Sequence, residues 1–157
     1  MGIAVTPQAQ HKTVGDVEGI STKPKVAVVY ATPETVLDDI GLAMRLADYK
    51  AHLVKDLATL LKINISWQHY YPACSTTPWQ LEGVIKTLRA EGYRELLPTH
   101  NGTVVVDARE GELSNKHKVV QEKHGLPSVH LESVKWVPFQ PKAKMLVLNE
   151  VYPEGIQ

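Results

Sequence analysis

The chain has a single cysteine in 157 residues and no excess of charge, with 17 Lys and Arg against 17 Asp and Glu. One thiol closes no internal disulfide and cannot alone hold zinc or an iron–sulphur cluster, so a reducing cytoplasm is the expected setting. Balanced charge leaves no basic field for nucleic acid and no acidic tail for a cationic partner. No apolar run is long enough to cross a bilayer, and the first residues lack a basic start followed by an apolar stretch. Neither a membrane span nor a secretory signal is therefore expected. What is present is 43% hydrophobic and 22% charged. These are the proportions of an ordinary globular chain, long enough for one domain with a core.

Residues 1–24 are polar and unpatterned and are expected to form a flexible arm. The α/β domain is expected over 25–157. Residues 26–30 (Val-Ala-Val-Val-Tyr) are continuous, apolar and β-branched, the pattern of a strand buried on both faces. Thr32-Pro33 then predicts a helix start, with Thr32 as cap, Pro33 at the first position and an apolar stripe from Val36 to Ala47. A second strand is expected over 60–66, and an aromatic loop follows over 67–74. Thr77-Pro78-Trp79-Gln80 spells a capping box. Its helix carries Leu81, Val84, Ile85 and Leu88 on one side and ends at Gly92 in a left-handed conformation. Further strands are expected over 94–99, 128–131 and 145–148, with 104–106 as a strand or a buried loop segment. A helix over 115–124 should stop at Gly125. Strand and helix alternating at this pace predict βαβ units. The fold class is α/β, a mainly parallel sheet with helices on both faces. No crossover helix follows residues 145–148, so that strand is expected at an edge, or the natural protein continues past Gln157.

Residues 25–155 also resemble the domain of unknown function 362 family, some of whose members carry ferredoxin-type iron–sulphur modules. The match rests on Leu61-Lys62-Ile63-Asn64, on residues 75–85 with their threonine-rich helix start, and on Glu91-Gly92-Tyr93. The resemblance implies the same α/β fold and the N-terminal part of a larger protein. It also implies an iron–sulphur partner as a possibility; the cysteine clusters of such members are absent here. It carries no reaction and no cofactor.

In open parallel sheets, ligands bind beyond the carboxyl ends of the strands. Thr32, Asn64, Ser66, His100 and Asn101 are expected to gather there. The most concrete chemistry lies in Cys74-Ser75-Thr76-Thr77. A helix N-terminus with three hydroxyls suits a phosphate or carboxylate, and Lys62 would supply charge; alternatively Thr77 only caps its helix. Lys62, Asn64, Ser75, Thr76, Thr77 and Asn101 are thus the expected ligand-binding residues. Cys74 and His100 are the reactive candidates, a thiol near a helix start and an imidazole at a strand end. Against them stand an inert half-buried thiol and a simple Asn101-Gly102 turn. Asp107, Glu110 and Glu112 read as a solvated acidic surface. His117, His124 and His130 show no metal-ligand spacing, so no metal set is expected. The reading is a domain that binds an anionic small molecule. The alternatives are a non-catalytic interaction module and part of an iron–sulphur-linked redox protein.

Overall fold

A computed structural model describes residues 25–135. The elements are helix α1 (Val36–Leu46), a short 3-10 turn (Tyr49–Ala51), strand β1 (Thr59–Lys62) and helix α2 (Pro78–Ala90). Strand β2 (Leu96–His100), helices α3 (Ala108–Ser114) and α4 (His117–Lys123), strand β3 (Val129–His130) and a second 3-10 turn (Leu131–Ser133) follow. The three strands form one parallel sheet in the order β1-β2-β3. The α/β class and the parallel sheet are those expected from the alternation of strand and helix. The expected arm over 1–24 and the strand over 145–148 lie outside the described residues.

The helix ends follow local rules. Thr77 Oγ1 accepts from the Gln80 N–H at 3.3 Å, and Pro78 opens α2. At its other end Gly92 has φ +93°, the Tyr93 N–H reaches the Leu88 carbonyl and the Gly92 N–H reaches that of Arg89. α4 ends the same way: Gly125 has φ +60°, and Leu126 and Gly125 donate to Gln121 and Glu122. Both are the paired closing bonds that a left-handed residue after a helix permits.

Packing centres on α2. Leu81, Ile85 and Leu88 are buried with Ile63, Ile65, Tyr93, Leu96, Val106 and Val120 in one cluster. α1 lies across α2, and glycine sets how near. A β-carbon on Gly83 would come within 2.8 Å of Ile40 Cδ1, and one on Gly41 within 2.6 Å of Thr87 Oγ1. Gly111 plays the same part for α3, which backs onto Ile65 and Gln68.

Two expectations need correction. Residues 26–30 form no strand: Val26, Val28 and Tyr30 are 84%, 74% and 96% exposed, and the segment runs beside α1. An apolar β-branched run favours strand geometry, yet only a partner edge within reach makes a strand. α1 begins three residues late. Thr32 starts a turn whose carbonyl accepts from Thr35 and Val36, and Thr35 takes the cap position. The helix expected over 115–124 is present as α4, and the left-handed Lys116 (φ 67°) separates it from α3, which was not expected. Residues 104–106 are a loop in which only Val106 is buried.

Candidate functional site

Parallel register decides which side chains meet. Thr99 pairs with Lys62 on one side and Val129 on the other, and His100 pairs with His130. Neighbours in register share a face, and successive residues alternate. His100 and His130 therefore stand side by side at the carboxyl ends of β2 and β3, with ring centroids 4.7 Å apart. Lys62 belongs to the opposite face with Thr99. Its Nζ turns back to donate to the Ile63 carbonyl at 2.7 Å, and partial desolvation there lowers its pKa.

Glu112 of α3 reaches into the pair. Its Oε2 lies 3.5 Å from His100 Nε2 and 3.4 Å from His130 Nε2. The three donor atoms lie within 4.8 Å of one another. Glu112 is only 4% exposed and His100 1%, so the expectation of a solvated acidic surface fails for Glu112. Asp107 instead caps α3, accepting from the Arg109 and Glu110 N–H groups at 2.9 and 3.0 Å. Its spacing to Glu110 is that of a capping box, which was the signal for the helix the sequence reading missed. Once α3 is helical, Glu112 has a face, and that face is inward.

The Ser128 hydroxyl donates to Glu112 Oε1 at 2.5 Å and lies 2.6 Å from the Gln121 side-chain oxygen. A hydroxyl has one proton and cannot donate to both. The Gln121 amide nitrogen, buried, has no partner. Turning the amide over lets that nitrogen donate to Ser128, which then donates to Glu112, and one change satisfies both conditions. Lys118 Nζ adds a donor to the same hydroxyl at 3.4 Å.

Burial alone would raise the Glu112 pKa, but the neighbouring His100 imidazole, the Ser128 hydroxyl and His130 together hold it down at about 2. The His100 contact acts by proximity. At 3.5 Å it is too poorly aligned for a hydrogen bond, and neither ring nitrogen of His100 has one. His117 of α4, also fully buried, has its pKa lowered by desolvation. Its Nε2 meets the Thr76 carbonyl at 2.5 Å. A carbonyl only accepts, so Nε2 carries the proton and Nδ1 keeps a free lone pair, with no hydrogen-bond partner.

The Ser-Thr-Thr stretch is near this cluster but is occupied with the fold. Thr76 Oγ1 accepts from the Asn64 N–H at 2.9 Å, while the Thr76 N–H donates to the Asn64 carbonyl. Ser75 Oγ accepts from the Ser66 N–H at 3.2 Å, and Asn64 Nδ2 donates to Ser66 Oγ at 2.6 Å. Together these bonds lash the start of α2 to the chain leaving β1. Cys74 is half-buried and free, and no histidine among the described residues is bonded to its thiol. His69 is turned to Glu110 at 3.6 Å. Asn101 is exposed, directly after His100. The structure thus brings Asn64, Ser75, Thr76 and Thr77 together, sets His100 with Glu112 and His130, and separates Lys62 by sheet face. Glu112 and His130 escaped the sequence reading because they lie 18 positions apart, on a helix and a strand that only the fold brings together.

No family model, no curated protein and no solved structure matches the chain. None of these comparisons supports the resemblance to the domain of unknown function 362 family read from the sequence. No described helix is long and apolar enough to cross a membrane.

Proposed function

We propose that this domain binds an anionic small molecule, a phosphate or a carboxylate, at the carboxyl ends of β2 and β3. The groups that meet it are the imidazoles of His100 and His130, with the Asn101 amide at the rim. The observation that carries this reading is His100. It sits at the end of the central strand, 1% exposed, with neither ring nitrogen hydrogen-bonded among the described residues. A buried polar group left unmet costs about 1–3 kcal/mol, and such a group in a folded chain calls for an explanation, of which a ligand is one. The end of a parallel sheet is where ligands of this architecture bind.

Titration of the full chain with inorganic phosphate and with acetate, followed by the histidine ring signals in NMR, tests the reading. Saturable shifts at His100 and His130, weakened at least about tenfold (about 1.4 kcal/mol) in His130→Gln, are expected. Unchanged ring signals at millimolar ligand would overturn it.

A further inference from the structure

We infer that His100, Glu112 and His130 are the protein ligands of a first-row divalent transition metal ion of the zinc type, held with one coordination position left for an exogenous group. This rests on the reading above only in taking the strand-end cluster as a ligand site and the anion as that fourth group. The donor set comes first. Two imidazole nitrogens and one carboxylate oxygen are the three-ligand complement of open zinc sites, whereas calcium and magnesium take mainly oxygen.

Geometry comes next. Ligands bound at about 2.0–2.1 Å stand roughly 3.3–3.4 Å apart in a tetrahedron and about 2.9–3.0 Å apart at the corners of an octahedron. The Glu112 Oε2 separations of 3.5 Å to His100 and 3.4 Å to His130 lie nearer the tetrahedral value than the octahedral one. At those distances two imidazoles converging on one oxygen are long for hydrogen bonds but well placed to share an ion. All three donors lie within 4.8 Å, so the histidine pair closes by at most about 1.4 Å to complete the triangle.

The surroundings are of the kind a metal site needs. Ser128 donates to Glu112 Oε1, which leaves Oε2 for the ion. Gln121 and Lys118 in turn contact Ser128. Outer hydrogen bonds of this kind fix the orientation of a ligating carboxylate. His100 is buried, and among the described residues neither of its ring nitrogens has a hydrogen bond, which leaves its basic nitrogen open to an ion. His130 is the most exposed of the three side chains, at 13%. The ion and its fourth ligand reach the cluster from that side.

The test is titration of the full chain with Co²⁺ and Zn²⁺, by calorimetry and by the visible absorption of Co²⁺. One ion per chain is expected, with the intense visible bands of four-coordinate cobalt. Affinity should fall by more than about 100-fold in Glu112→Gln and His130→Gln, and by about 10–100-fold in Ser128→Ala, the range for outer partners. Both ligand variants avoid the buried His100, and circular dichroism and thermal melts establish that each is folded. A folded wild-type chain that binds neither ion overturns the inference, as does a chain whose Glu112→Gln and His130→Gln variants bind as tightly as wild type. Inorganic phosphate added to the cobalt form separates the two proposals. A phosphate-dependent change in the cobalt bands supports both. Cobalt bound without response to phosphate supports the metal and overturns the anion. Phosphate bound by a chain that takes up neither ion overturns the metal and leaves the anion.

Discussion

Two polar constellations meet at the same end of the sheet, and they differ in one respect. In the Ser75–Thr77 stretch each hydroxyl accepts from a backbone N–H: Ser66 for Ser75, Asn64 for Thr76 and Gln80 for Thr77. In the His100–Glu112–His130 cluster the carboxylate is crowded with partners, while a fully buried imidazole has no hydrogen bond. The first set is complete and holds a helix to a strand. The second is incomplete and buried, the condition expected where a fold concedes stability to function. Hydroxyls in a row attract notice in a sequence, but their partners decide whether they are available.

The sharpest way to break this comparison is to remove Glu112. Glu112→Ala leaves two imidazoles and Ser128 facing an apolar gap, and a loss of about 1–3 kcal/mol is expected in urea unfolding, the range for leaving buried polar groups without their partner. A loss below about 1 kcal/mol would make Glu112 a peripheral group. Gly83→Ala probes packing away from both clusters. Its methyl would meet Ile40 at 2.8 Å, and overpacking of this kind costs about 1–3 kcal/mol, read as a lower melting temperature with the histidine ring signals unmoved.

Thr76→Val leaves the Asn64 N–H without its acceptor and is expected to cost about 1–2 kcal/mol. Thr77→Val removes a cap for about 1 kcal/mol. Neither should change phosphate affinity more than about twofold (about 0.4 kcal/mol). A tenfold loss of phosphate affinity in either variant would return the hydroxyls to the ligand site and erase the distinction between the clusters.

Acid sharpens it further. The folded chain lowers the His117 pKa from 6.5, so it favours the neutral ring. That stability is present above pH 6.5 and is lost as pH falls through the lower folded value. Glu112 is lowered from 4.5 to about 2, so its contribution is whole above pH 4.5 and disappears on the way down to about pH 2. Melting temperatures measured in steps of pH should fall in two stages. Glu112→Gln should flatten the lower one, and an unchanged lower stage in that variant would remove Glu112 from the account.

Much of this architecture could be read from local chemistry. Thr77-Pro78 and Gly92 mark both ends of α2, and Gly125 marks the end of α4, because caps and left-handed turns depend on residues a few positions apart. The alternation of elements was enough for the parallel sheet. Residues 26–30 show the limit. Their composition favours a strand, but pairing depends on an edge that composition does not specify, and here the segment lies exposed beside α1. α3 was hidden because Asp107 and Glu110 read equally as a surface charge run and as a capping box.

His100 as a strand-end residue came from the sequence alone. Its company came from the tertiary structure. The register that pairs it with His130, the inward face of α3 that delivers Glu112 and the sheet face that sends Lys62 away are all settled by contacts between residues distant in the chain. Local rules act over a turn of helix or a single strand. A cluster drawn from two strands and a helix exists only once the core has closed around it.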